Sequence, residues 1–137
     1  MDEEREARVW ARVRGERVLP LGDCAQCAGI YRWLYKRGIC RETAAGLLKQ
    51  QTEQLEILRG LLALNGQPEP DWMAADPVGM TEAQAAAKGV ELCRALAAAY
   101  AALAADPTFG GLFARLSAQS WSMTGDALRV YRRVKGK

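Results

Sequence analysis

Two segments of the chain, CAQCAGIYRWL (24–34) and CRALAAAYAAL (93–103), indicate the fold because they repeat one pattern at an offset of 69 residues. The positions that share a residue are Cys24 and Cys93, Ala28 and Ala97, Tyr31 and Tyr100, and Leu34 and Leu103. Their spacing of four, three and three residues places them on one face of an α-helix, since residues three or four apart lie above one another. We therefore expect two equivalent helices that turn the same face toward a common core.

The same offset extends to a second pair of segments, at 47–61 and 116–130. It matches Leu47 with Leu116, Gln51 with Ser120, Gln54 with Met123, Leu58 with Ala127, and Leu61 with Val130. Gln51 and Gln54 lie within the apolar stripe of their segment, so we expect both amides to point inward. An offset that fits two pairs of helices without a gap predicts an internally duplicated four-helix bundle.

The composition restricts the class of protein. Hydrophobic residues make up 50% of the chain, charged residues 26%, and the net charge is +3, which is too apolar for a disordered chain. The longest apolar run, 96–105, is too short to span a membrane, and the acidic N-terminus lacks a secretory leader, so we expect a cytoplasmic protein without a membrane partner. No basic stripe interleaves with aromatic residues, so no nucleic-acid partner is expected. The chain has no histidine, which removes the commonest general base and metal ligand.

Helix formers such as alanine, leucine and glutamate dominate the chain, and strand-like alternation is nearly absent. We predict one all-α domain over residues 1–137, a four-helix bundle with a short extra N-terminal helix. The leading helix lies within 1–15, the first hairpin at 21–66, the crossover at 67–80 and the second hairpin at 81–135. Pro68, Pro70 and Pro77 favour an extended connection in the crossover.

Capping residues are predicted at the start of both helices of the second hairpin. Thr81 followed by Gln84 indicates a capping box for the third helix, which we expect to end near Ala105. Asp106 is expected to be the N-cap of the fourth helix, with Pro107 in its first turn and the helix end near residue 133.

This pattern resembles the ferritin-like superfamily, in particular its small rubrerythrin-type bundles. Tyr31 and Tyr100 match the tyrosines that follow the metal-binding glutamates on helices one and three of that family. The segments LLALNG (61–66) and LAADPTF (103–109), together with Val9-Trp10, are also similar to the group. The resemblance implies two helix hairpins joined by a long crossover, in a cytoplasmic bacterial protein.

The di-iron ligands of that family are replaced in this chain. The six matching positions carry Cys24 and Cys93 for the two glutamates, and Gln51 with Gln54 and Ser120 with Met123 for the two Glu-x-x-His motifs. A di-iron centre needs several anionic oxygens and imidazoles, so we expect no di-iron cofactor and no ferroxidase, peroxidase or iron-storage activity. The resemblance then implies a degenerate, non-enzymatic bundle that binds a protein partner or forms a homodimer. An alanine-rich face at positions 95, 98, 102 and 105 would allow close helix approach.

Two alternatives stay open for the sulfur-containing residues. Cys24 and Cys93 are expected to face each other across the bundle centre, and with Met123 and Cys27 they would bind a soft metal ion, Zn²⁺ or Cu(I). The Cys24-x-x-Cys27 spacing also resembles a redox dithiol, which is the basis for a residual rubrerythrin-like redox enzyme. A disulfide between Cys24 and Cys93 would require Cα atoms within about 7 Å, closer than typical helix spacing favours.

The simpler interpretation is that the cysteines are buried as small apolar residues. Gln51, Gln54 and Ser120 would then hydrogen-bond to one another and to the hydroxyls of Tyr31 and Tyr100 at the bundle centre. A second acidic spacing, at positions 53 and 56, falls on the polar face of its helix, so we expect both glutamates to be exposed.

Overall fold

The computed structural model describes residues 19–64 and 75–136, and within them the chain forms four α-helices and no strand. The helices are α1 (Leu21–Lys36), α2 (Arg41–Leu64), α3 (Glu82–Leu103) and α4 (Gly110–Lys135). The predicted all-α four-helix bundle is confirmed. The predicted leading helix at 1–15, the end of the first hairpin at 65–66 and most of the crossover lie outside the described residues. In the described part of the chain, no helix combines the length and the hydropathy that a membrane span requires.

The start of α3 confirms the predicted capping box. The Thr81 hydroxyl accepts a hydrogen bond from the Gln84 amide at 3.1 Å, and the Gln84 side chain accepts one from the Thr81 amide at 2.9 Å. The two bonds satisfy two of the amides that a helix start leaves without an intrahelical partner. The helix ends at Leu103, two residues before the predicted end.

The start of α4 differs from the prediction. Asp106 does cap the chain, since its carboxylate accepts hydrogen bonds from the amides of Thr108 and Phe109 at 2.8 Å each. However, those bonds hold a tight turn, and the helix itself begins only at Gly110. The physical reason is that the chain folds back closely on itself between Ala104 and Gly110. A Cβ on Gly110 would lie 2.4 Å from the carbonyl oxygen of Ala104. The turn brings α4 back against α3 before regular helix geometry can start.

Contacts along α1 and α3 show that these helices run antiparallel. Arg37, just past the end of α1, forms an ion pair of 2.7 Å with Glu82 at the start of α3. Nearer the middle of both helices, the Sγ atoms of Cys27 and Cys93 lie 3.8 Å apart. As the residue number rises along α1, its partner number on α3 falls.

The helices α2 and α4 are also antiparallel, by the same criterion. The Gln51 amide nitrogen lies 3.9 Å from the Met123 sulfur, and the Gln54 amide nitrogen lies 3.2 Å from the Ser120 hydroxyl. Within each hairpin the turn is short, so α1 runs against α2 and α3 against α4. In consequence α2 and α3 point the same way, and the end of α2 and the start of α3 lie at opposite ends of the bundle.

The described part of the crossover, residues 75–80, packs along α1. Asp76 pairs with Arg32 at 3.3 Å, and the Ala75 carbonyl lies so close to Gly29 that a Cβ on Gly29 would meet its oxygen at 2.2 Å. Gly29 is buried, and the atom that it faces belongs to the backbone. Only glycine leaves room for the crossover at this point of α1.

We predict that Gly29→Ala lowers the free energy of unfolding by about 1–3 kcal/mol, since the added methyl group overpacks a backbone contact. Gly60→Ala is the control, because Gly60 is an exposed helical glycine with open space around its Cα. This second substitution should raise the free energy by about 0.5–1 kcal/mol through the better helix propensity of alanine. Urea unfolding followed by circular dichroism measures both. An equal effect of the two changes would contradict the close approach at Gly29.

Candidate functional site at the bundle centre

The residues predicted for the centre of the bundle all lie inside it. None has any solvent exposure (0% relative exposure each): Cys24, Cys27, Tyr31, Gln51, Gln54, Cys93, Tyr100, Ser120 and Met123. Two neutral amides are thus completely removed from water, which is unfavourable unless their polar atoms find partners. The hydrogen bonds of these residues therefore decide what the centre can do.

The side chain of Gln54 on α2 forms hydrogen bonds to two other helices at the centre. Its side-chain oxygen accepts a hydrogen bond from the Tyr100 hydroxyl at 3.1 Å. Its side-chain nitrogen donates to the oxygen of Gln119 at 2.9 Å and lies 3.2 Å from the Ser120 hydroxyl and 3.7 Å from the Met123 sulfur. One amide therefore joins α2 to both α3 and α4, and its polar atoms are all engaged.

Cys24 on α1 is held by the other buried glutamine. Its thiol donates to the side-chain oxygen of Gln51 at 3.0 Å, and the Gln51 backbone carbonyl and the Gln54 side-chain oxygen lie further away, at 3.5 and 4.0 Å. The Gln51 nitrogen in turn faces the Met123 sulfur at 3.9 Å. This cluster joins α1, α2 and α4 through neutral groups.

The cysteine that contacts Cys93 is not the expected one. The thiol that faces Cys93 is that of Cys27, with the two sulfur atoms 3.8 Å apart, whereas the sequence pattern placed Cys24 opposite Cys93. Cys24 instead turns toward α2, one helical turn away. All four cysteines are free thiols.

The sulfur atoms thus form two groups and not one. Cys24 and Met123 contact the glutamine amides, while Cys27 and Cys93 contact each other. Over residues 19–64 and 75–136, no three histidine, cysteine, aspartate or glutamate side chains come together in a way that could hold a metal ion.

The two tyrosines of the repeat have different surroundings. The Tyr100 hydroxyl is bonded to Gln54, but the Tyr31 hydroxyl has no partner at normal hydrogen-bond distance in the described part of the chain and lies beside the Cys93 thiol. It lies against Gly89 on α3, where a Cβ would come within 2.4 Å of it. In the sequence repeat, Met123 stands at the position that matches Gln54, and a thioether is only a weak acceptor.

Burial and mutual contact keep the centre uncharged. Burial raises the pKa of the Cys24 thiol to about 12, and the contact with Cys93, together with burial, raises the pKa of Cys27. Burial also raises the pKa of the Tyr31 and Tyr100 hydroxyls well above their ordinary range. Each of these groups therefore keeps its proton at neutral pH.

Sequence reasoning missed some of the residues that complete the centre. The half-buried Gln119 accepts a bond from Gln54, and the Ser117 hydroxyl donates to the Ala97 carbonyl at 2.8 Å, which joins α4 to α3. Both are polar residues beside apolar ones, and the repeat pattern does not mark them. The glutamates at 53 and 56 are exposed, as predicted.

We predict that Tyr100→Phe and Tyr31→Phe have unequal effects on stability. Tyr100→Phe leaves the buried Gln54 oxygen without its bond from α3, which should cost about 1–3 kcal/mol. Tyr31→Phe removes a hydroxyl that has no partner and should be neutral or slightly stabilising. Urea unfolding of both variants gives the comparison, with each tyrosine serving as the control for the other. Similar losses for the two would contradict the asymmetry of the centre.

The raised pKa of Cys24 predicts a loss of stability in alkali. The thiol ionises near 9.0 when the chain is unfolded but near 12 in the folded protein, so above about pH 9 the unfolded state releases the proton first. The free energy of unfolding should therefore fall as pH rises from 9 to 12, with Cys24 contributing at most about 1.4 kcal/mol per pH unit.

The measurement compares unfolding at several alkaline pH values in the wild type and in Cys24→Ala. The slope should be shallower in Cys24→Ala, because this variant lacks the buried thiol. If Cys24→Ala kept the wild-type slope, the thiol would not be held in its protonated form.

Comparisons with protein-family models, with curated proteins and with solved structures find no match to this chain. The geometry of the four helices and the hydrogen bonds of their centre therefore carry the functional conclusion.

Proposed function

We propose that this chain is a degenerate ferritin-like bundle without a di-iron site, which acts non-enzymatically by binding a partner protein or a second copy of itself. The observation that carries the proposal is the saturated hydrogen bonding of Gln54. The order of helix directions supports the ferritin-like part, because two hairpins whose neighbouring helices α2 and α3 point the same way need a long crossover. The offset repeat supports it independently.

The side-chain groups at the ligand positions support the proposal that the bundle has no di-iron chemistry. The positions that match the family's iron ligands carry amides, thiols, a hydroxyl and a thioether, none of which supplies an anionic oxygen. A carboxylate-bridged pair of iron ions needs several such oxygens to offset its charge. The Gln54 amide is already engaged by three neighbours, and the raised pKa of Cys24 keeps its thiol protonated.

Exposed apolar groups on the outside of the bundle support action by association. Trp121 on α4 is 55% exposed, and Ala95, Ala98 and Ala105 of the alanine-rich face are exposed while Ala102 is half-buried. Small residues on a helix surface let a second helix approach closely, and a tryptophan is among the residues enriched at protein interfaces. These groups favour a protein partner or a homodimer over a small substrate.

A thiol-based soft-metal site is the second candidate, and one distance favours it. Two thiolates bound to a tetrahedral ion at 2.3 Å lie about 3.8 Å apart, and the Sγ atoms of Cys27 and Cys93 are 3.8 Å apart. Zn²⁺ or Cu(I) would be the ion at such a pair. Against it stands the raised pKa of Cys27, and Cys24 and Met123 would have to leave the glutamines to complete the site.

The residual redox enzyme has the least support. A reactive dithiol needs at least one cysteine with a lowered pKa and some exposure. Cys24 and Cys27 are fully buried, and the pKa of each is raised.

Metal analysis and thermal unfolding distinguish the first two candidates. Protein purified under reducing conditions should contain far less than one equivalent of any metal, and Zn²⁺ or Cu(I) should leave its Tm unchanged. For the second candidate, an ion at a hundredfold excess over its Kd would stabilise the fold by about 2.7 kcal/mol, which is a rise of several degrees. The rise would be absent in a Cys27→Ala, Cys93→Ala variant and present in Cys40→Ala. Stoichiometric metal with that pattern would overturn the metal-free proposal.

A further inference from the structure

A cleft at one end of the bundle is lined by residues from two distant parts of the chain. It lies where the α1–α2 turn and the first turn of α2 meet the last third of α4, and its volume is about 600 Å³. Sites for small molecules usually measure about 300–1,000 Å³. The cleft is remote from the buried centre, so its chemistry is independent of the proposed function.

Three of the residues that line the cleft are arginines. Arg41 comes from α2, and Arg129 and Arg133 come from α4, while Glu42 is the one acidic lining residue. The lining therefore carries a net charge of +2 from three cations and one anion. A chain with a net charge of only +3 thus concentrates positive charge at this point.

Two of the three arginines are like charges that lie close together on α4. Arg129 and Arg133 lie four residues apart on one helix face, and like charges at this spacing repel each other. Asp126 pairs with Arg129, but among residues 19–64 and 75–136 Arg133 forms no ion pair. An anion seated between the two guanidinium groups would convert the repulsion into two attractive interactions.

The guanidinium group of Arg41 is held in place by Tyr35 on α1. This group lies over the Tyr35 ring at 4.9 Å and donates to the Tyr35 hydroxyl at 3.3 Å. A guanidinium oriented by stacking has fewer rotamers to lose when it binds an anion. Thr43 also lines the cleft, and a threonine hydroxyl can donate a hydrogen bond to an anion.

We propose that this cleft binds a small phosphorylated molecule through the guanidinium groups of Arg41, Arg129 and Arg133. Planar guanidinium groups match the oxygen geometry of a phosphoryl group and can each donate two hydrogen bonds to it. A ligand with two phosphoryl charges or more would offset both the +2 lining and the repulsion on α4. Glu42 limits the site to strongly anionic ligands, because a weakly charged one would not outweigh its carboxylate.

The test is calorimetric titration of the full chain with pyrophosphate and with inorganic phosphate, at constant ionic strength. Pyrophosphate should bind more tightly than phosphate. The double variant Arg129→Gln, Arg133→Gln should bind pyrophosphate at least about tenfold more weakly, because it loses the charge-assisted hydrogen bonds of two guanidinium groups. This variant should stay folded with a Tm close to that of the wild type, because the side chains of Arg129 and Arg133 are exposed.

The control is the double variant Arg94→Gln, Arg115→Gln, which removes the same charge at exposed positions outside the cleft. Its affinity for pyrophosphate should equal that of the wild type. Equal weakening in the two double variants would show a non-specific charge effect and overturn the proposal. An absence of binding by the wild type at millimolar pyrophosphate would overturn it as well.

Discussion

The fold depends on one constraint, which is that a polar atom taken out of water must find a partner inside the bundle. The Gln54 amide meets this constraint by bonding to Tyr100 on α3 and to Gln119 and Ser120 on α4. An apolar side chain at this position would tolerate small shifts of one helix along another, but a hydrogen bond would not. The buried amide therefore sets the register of three helices, whereas the leucines around it supply most of the burial.

The two halves of the repeat satisfy this constraint unequally. Gln54 in the first half gives Tyr100 an acceptor, while Met123 in the matching place of the second half offers a thioether. The Tyr31 hydroxyl packs against Gly89 and forms no hydrogen bond among the described residues. Of the two tyrosine–amide bonds that the repeat pattern predicts, the described residues contain the one between Tyr100 and Gln54.

The sequence predicts which residues are buried better than it predicts which side chains contact each other. Gln51 and Gln54 stand within an apolar stripe, and Thr81 with Gln84 forms a local signal, so the burial of the amides and the start of α3 could be predicted. The partner of Cys93 could not, because one turn of α1 separates Cys24 from Cys27. Periodicity along a helix says which face points inward, but it does not say how far the neighbouring helix is shifted along the axis.

The buried centre and the surface cleft differ in the charge that their side chains carry. At the centre, burial and side-chain contact hold the Cys24 and Cys27 thiols and the two tyrosine hydroxyls in their neutral forms, since a charge there would lose its hydration without gaining a counterion. The guanidinium groups of Arg129 and Arg133 sit at the surface, where they stay hydrated until a ligand replaces the water. The Gln54 amide has little capacity left for binding, because a ligand would first have to break its bonds to Tyr100, Gln119 and Ser120.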